Sequence, residues 1–137
     1  MNQHIERAKE LRSDEFTPNN CGQTIFMTYA KELGLSTEQA SAIGCNFGGG
    51  MKCGGTCGVI TSGLAVLGGL GIQDPKSVQA FRSQIKENHN GMTDCAELLR
   101  ANVLAGGQKK PHCDGMILEA IELIDRLSKE KQEKGEA

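Results

Sequence analysis

Apolar residues recur at three- and four-residue spacing through most of the chain, which is the period of an amphipathic helix. No run of alternating β-branched residues marks a strand. A polar helix is expected from about Gln3 to Glu15, with Ile5, Ala8 and Leu11 on one side. Thr17-Pro18-Asn19-Asn20 breaks it and offers an Asn cap to a second helix from Cys21 to about Leu33. Cys21, Ile25, Thr28 and Tyr29 fall on one face of that helix, and Gly34 suits its C-terminal cap. Ser36-Thr37-Glu38-Gln39 reads as a capping box opening a third helix through Ala42.

The pattern then changes. Gly44 to Gly58 holds seven glycines and three cysteines in fifteen residues. A regular helix cannot run through it, because each interior glycine costs roughly 1 kcal/mol relative to alanine. Such a loop lets backbone approach a partner closely or turn with positive φ. A fourth helix, from about Cys57 to Leu70, is nearly uncharged and belongs inside a bundle. Asp74-Pro75 is a good cap and first-position pair for a fifth helix ending near Asn88. Thr93-Asp94 opens a sixth across Cys95, Leu98, Leu99 and Val103. Pro111 starts the last, whose Ile117, Ile121, Ile124 and Leu127 form an apolar stripe, and the charged tail at about 128–137 is expected to fray. The expected architecture is therefore all-α, one helical-bundle domain over 1–137 with a Gly/Cys-rich loop before a buried central helix.

Composition sharpens this picture in two places. A net charge of -2 leaves no nucleic-acid footprint. One tyrosine and no tryptophan mean that the core leans on aliphatic residues. The Cys57–Ile72 stretch, with two hydroxyl residues and five glycines, is shorter than the roughly 20 apolar residues of a bilayer span, so no membrane insertion is expected. Met1-Asn2-Gln3-His4-Ile5-Glu6-Arg7 contains nothing a secretion apparatus reads, which points to the cytoplasm. Structural disulfides are rare there, so six cysteines call for another explanation.

The cysteines stand at 21, 45, 53, 57, 95 and 113, and four of them (Cys21, Cys57, Cys95 and Cys113) fall at expected helix starts. A helix dipole there favours a thiolate and lowers the thiol pKa. A thiolate is both the nucleophile of disulfide chemistry and the ligand of soft metals. Taken singly, each cysteine reads equally well as a small buried hydrophobe, and Cys45 suits packing or an auxiliary role best. There is no Cys-x-x-Cys, and the glycine loop has neither the lysine of a P-loop nor a strand before it. His4 and His89 read as solvated, whereas His112, beside Cys113, is a candidate ligand or a partner of one.

Asn20-Cys21-Gly22-Gln23, Phe47-Gly48-Gly49-Gly50-Met51 and Cys57-Gly58-Val59-Ile60-Thr61-Ser62-Gly63-Leu64, followed by Val66-Leu67-Gly68, resemble the C_GCAxxG_C_C family. Asp94-Cys95-Ala96-Glu97-Leu98 and His112-Cys113 complete its four-cysteine order, over a stretch from Asn20 to Leu127. Val59 and Ser62 stand where that family usually has alanine and glycine, and Cys45 and Cys53 are additional to its set. The resemblance implies a cysteine-based redox role. A similar domain occurs fused in a haem protein with an iron–sulfur centre, which extends the expectation to cluster binding. Three readings follow. In the first, Cys21, Cys57, Cys95 and Cys113 ligate an iron–sulfur cluster for electron transfer to a redox partner protein. In the second, Cys57 attacks in thiol–disulfide exchange, with Cys53 or Cys21 resolving. In the third, zinc on the same four sulfurs staples a module that binds another protein. The small-residue central helix also suits packing against a second copy, as a homodimer.

Overall fold

The structure is a computed structural model that describes residues 2–14 and 18–134. It is all-α: eight helices and no strand are found among the described residues, with one isolated β-bridge between Thr56 and Asp94. The helices are α1 (Gln3–Leu11), α2 (Cys21–Thr28), α3 (Ala30–Leu33), α4 (Thr37–Cys45), α5 (Gly58–Gly69), α6 (Pro75–Asn88), α7 (Cys95–Leu104) and α8 (Lys109–Glu133). No helix among the described residues is long and apolar enough to cross a membrane.

Locally encoded ends form where the sequence places them. The Asn20 side chain accepts from the Gln23 N–H at 2.8 Å while the Asn20 N–H donates to Gln23 Oε1 at 3.0 Å. Ser36 and Gln39 make the same reciprocal box at the start of α4. Asp74 caps α6 through the Ser77 N–H, which helps hold its carboxyl below the usual carboxylate range. Gly34 ends α3 with φ at 72°, a conformation that glycine adopts without a Cβ penalty.

Tertiary contacts override the pattern elsewhere. α1 closes at Leu11 and residues 13–14 are not helical, while Glu15 lies outside the described residues. Arg12 is there turned inward, where its Nε donates to Asp114 Oδ1 and its Nη1 to the Asn19 carbonyl, both at 2.7 Å. The expected single helix from Cys21 to Leu33 is interrupted at Tyr29 (φ -104°, ψ 13°), whose hydroxyl donates to Asp125 Oδ1 at 2.7 Å. α4 continues past Ala42 to Cys45. α8 begins two residues before Pro111 and runs on to Glu133. Proline is tolerated there because the first four helical N–H groups have no intrahelical acceptor to lose.

α5 lies at the centre and packs on α2, α6 and α8. Val59, Ile60, Val66 and Leu67 of α5 meet Ile25 and Phe26 of α2, Phe81 and Ile85 of α6, and Ile117, Ile121, Ile124 and Leu127 of α8 in one buried cluster. Gly22 and Gly44 bring α2 and α4 into backbone contact, since a Cβ on Gly44 would stand 2.5 Å from the Gly22 carbonyl oxygen. That crossing carries Phe47 and the glycine-rich turn toward the start of α5.

Candidate thiol centre

The glycine-rich stretch resolves into a tight turn and a short extended piece. Gly49, Gly50, Met51 and Lys52 all have φ between 58° and 64°, four left-handed residues in a row. The chain then extends through Gly55 to Cys57 and pairs with residues 93–95. The Cys57 N–H donates to the Thr93 carbonyl at 2.8 Å, and the Cys95 N–H donates to the Gly55 carbonyl at 2.6 Å. These two bonds flank the Thr56–Asp94 bridge and set Cys57 opposite Thr93 and Gly55 opposite Cys95, which leaves both cysteines on one face of the pairing. On the other side, Gly58 leaves room for Cys21, because a Cβ there would fall 2.5 Å from the Cys21 sulfur.

Cys21, Cys57, Cys95 and Cys113 all line one cavity of about 80 Å³, together with Arg12, Asn20, Lys109 and His112. Leu98, Leu99 and Met116 supply its apolar wall. Four helix N-termini meet here. Cys21 is the first residue of α2, Cys57 is the N-cap of α5, Cys95 is the first residue of α7, and α8 contributes Lys109, His112 and Cys113 from its opening turns. The starts of α5, α7 and α8 have no side-chain cap. The first turns of these helices direct the positive end of each dipole toward the thiols.

Two sequence expectations need correction. Cys113 is the fifth residue of α8 rather than at its start, because the helix begins at Lys109. It reaches the cavity from the second turn. Cys57, Cys95 and Cys113 are also pushed toward their neutral form rather than activated by the dipoles. Burial pushes Cys57 up to about 12, against the opposing Val59 N–H, and Cys21, Cys95 and Cys113 add to the rise. Burial and Cys21 raise Cys95, with Lys109 opposing. Burial and Cys21 raise Cys113 too, opposed by Arg12 and Lys109. Desolvation of a thiolate outweighs the partial charge of a helix end when the sulfur is this far from water. His112 is lowered by burial and by the charge of His89.

Cys53 and Cys45 are not in the cavity lining. Cys53 is exposed, and its S–H donates to the Gly50 carbonyl at 3.4 Å. Cys45 ends α4 with the Lys52 ammonium 3.8 Å from its sulfur. All six cysteines are free thiols. Among the described residues, no three His, Cys, Asp or Glu side chains converge closely enough to hold one metal ion.

Arg12 and Lys109 are the site residues that the linear pattern hides. Arg12 is 8% exposed, and its guanidinium stands between the cavity and Asp114. Burial pushes the Asp114 carboxyl up, but Lys110 and Arg12 outweigh it and hold it below the usual carboxylate range. A buried arginine and a carboxylate a hundred residues apart leave no local trace in a sequence.

A family model described as "Putative redox-active protein (C_GCAxxG_C_C)" matches residues 19–127, a span that includes all four cavity cysteines. No curated protein and no solved structure matches the chain. The family match covers most of the sequence and starts one residue before the Asn20 cap, so the chain belongs to the C_GCAxxG_C_C family.

Proposed function

We propose that this protein is an electron carrier whose Cys21, Cys57, Cys95 and Cys113 hold an iron–sulfur cluster. The observation that carries this reading is the meeting of four helix N-termini, each element bringing one cysteine to the same cavity. Four thiol sulfurs are the donor set that iron–sulfur clusters use. When bound, such a cluster supplies one-electron chemistry.

The chain's own residues suit that role. Cys57, Cys95 and Cys113 resist ionisation and need a strong positive centre to draw their protons off, and a coordinated metal deprotonates a thiol outright. Arg12, Lys109 and the uncapped helix ends then offset the negative charge that four thiolates bring. The Val59 N–H bonds the Cys57 sulfur, and hydrogen bonds of this kind tune a cluster's potential. Leu98, Leu99 and Met116 limit water. A single zinc ion would need its sulfurs drawn within about 2.3 Å of one point.

The test is anaerobic purification followed by iron and acid-labile sulfide analysis, repeated after reconstitution. Iron and sulfide in matched amounts, lost in Cys21→Ser or Cys113→Ser, support the reading. A colourless, iron-free protein after reconstitution ends it, and tightly bound zinc in its place redirects it to a metal-stapled interaction module.

A further inference from the structure

We propose that Cys53 and Cys95 form a reversible disulfide, through which the glycine-rich turn withdraws one thiol from the cavity set. Neither the family's four-cysteine order nor the cluster reading assigns a partner to Cys53. Its surroundings do. The two bonds around the Thr56–Asp94 bridge put Gly55 directly opposite Cys95. Directly opposed residues of an antiparallel pair have Cβ positions about 4.5–5.5 Å apart on the same face. The Cys53 sulfur lies 3.6 Å from the place where a Cβ on Gly55 would be. A second contact gives the same neighbourhood. Gly50, whose carbonyl accepts the Cys53 S–H, backs onto Cys95, and a Cβ on Gly50 would fall 2.8 Å from the Cys95 Cβ.

Closing the pair requires the turn to move Cys53 toward Cys95. A disulfide needs Cβ atoms about 3.5–4.5 Å apart. Met51 and Lys52 occupy left-handed backbone that costs an L-residue roughly 1–2 kcal/mol each. Rearrangement of this segment can therefore release part of that cost. Access also favours the pair. Cys53 is exposed and Cys95 half-buried, whereas Cys57 is 7% exposed, so an oxidant arriving from solvent meets Cys53 first.

The co-reactant is a small disulfide. The Cys53 thiolate attacks one of its sulfurs, forming a mixed disulfide and releasing one thiol. The Cys95 thiolate then attacks the Cys53 sulfur, forming the Cys53–Cys95 bond and releasing the second thiol. Two protein thiols are oxidised, one small disulfide is reduced to two thiols, and the two protein protons pass to the departing thiolates. Since Cys95 also belongs to the cavity set, the linked form lacks one of its four thiols.

The test uses reduced, metal-free full-length protein treated with limiting oxidised glutathione, trapped with N-ethylmaleimide and mapped by peptide mass spectrometry. The expected first intramolecular disulfide is Cys53–Cys95. Cys53→Ser, a change at an exposed position whose fold is checked by circular dichroism, should slow loss of the Cys95 thiol about tenfold, because an intramolecular partner is removed. Three results overturn the proposal: Cys53 pairing first with Cys45 or Cys57, Cys53 persisting as the glutathione adduct, or Cys95 oxidising at an unchanged rate in Cys53→Ser. None of these measurements involves iron, so they fail or succeed independently of the cluster.

Discussion

If burial governs the Cys57 thiol, its reactivity should be far below that of the same cysteine in the unfolded chain. The thiol rises from an ordinary 9.0 to about 12. At pH 8 the thiolate fraction then falls from about one in ten to about one in ten thousand. Nucleophilicity rises with basicity along a Brønsted slope of about 0.4–0.5, which recovers roughly 16- to 32-fold. The net expectation is alkylation about 30- to 60-fold slower than in urea-unfolded protein, before the steric shielding of a 7% exposed residue is counted. The assay is iodoacetamide labelling of reduced, metal-free protein, with the Cys57 peptide quantified by mass spectrometry from pH 7 to 11. The same shift makes folding pH-dependent. Because the folded value lies above the unfolded one, the contribution is whole below pH 9 and declines as pH climbs toward 12, by about 1.4 kcal/mol per unit. A folded-state labelling rate within about threefold of the unfolded rate at pH 8 would refute this account of the cavity. It would also restore Cys57 as an attacking nucleophile, a role that the present geometry disfavours.

Three further outcomes test the surrounding scaffold. Gly22→Ala drives a Cβ into the Gly44 carbonyl oxygen and to 2.9 Å from the Phe47 Cβ, and should cost about 1–3 kcal/mol in urea unfolding. Ser62→Ala removes a fully buried hydroxyl that has no hydrogen-bond partner, and should raise the urea midpoint by the equivalent of about 1 kcal/mol rather than lower it. His4 bridges Asp125 at 2.9 Å and Glu32, and the Asp125 hydrogen bond leads the causes that raise its pKa. The stabilisation it gives is complete below the unfolded value of 6.5 and lost as pH rises through the folded one, so melting curves of wild type and His4→Ala should converge as pH rises above 6.5.

What could be read from the chain was what its neighbours along the chain decide. Asn20, Ser36 and Asp74 cap helices through groups three residues away, so their side chains declare the ends unaided. The stripe Ile117, Ile121, Ile124 and Leu127 is likewise buried as its spacing requires. The gathering of Cys21, Cys57, Cys95 and Cys113 was anticipated from their order and helix-end positions, and all four line one cavity. Readings that needed the third dimension went differently. A single helix end favours an acidic thiol, whereas Cys57 is raised by desolvation and by three other sulfurs. The interruption at Tyr29 accompanies contacts with Asp125 and His4, and the inward turn of Arg12 rests on Asp114, all distant in sequence.

The two hydrogen bonds around Thr56 and Asp94 also limit how this protein can vary. Side chains alternate across such a pairing, so slipping it by one position would put Cys57 and Cys95 on opposite faces. Lengthening the glycine turn ahead of Gly55 leaves that pairing in place, whereas inserting a single residue between Gly55 and Gly58 does not. Relatives that keep the cavity are therefore free to differ in loop length on one side of the bridge and fixed on the other.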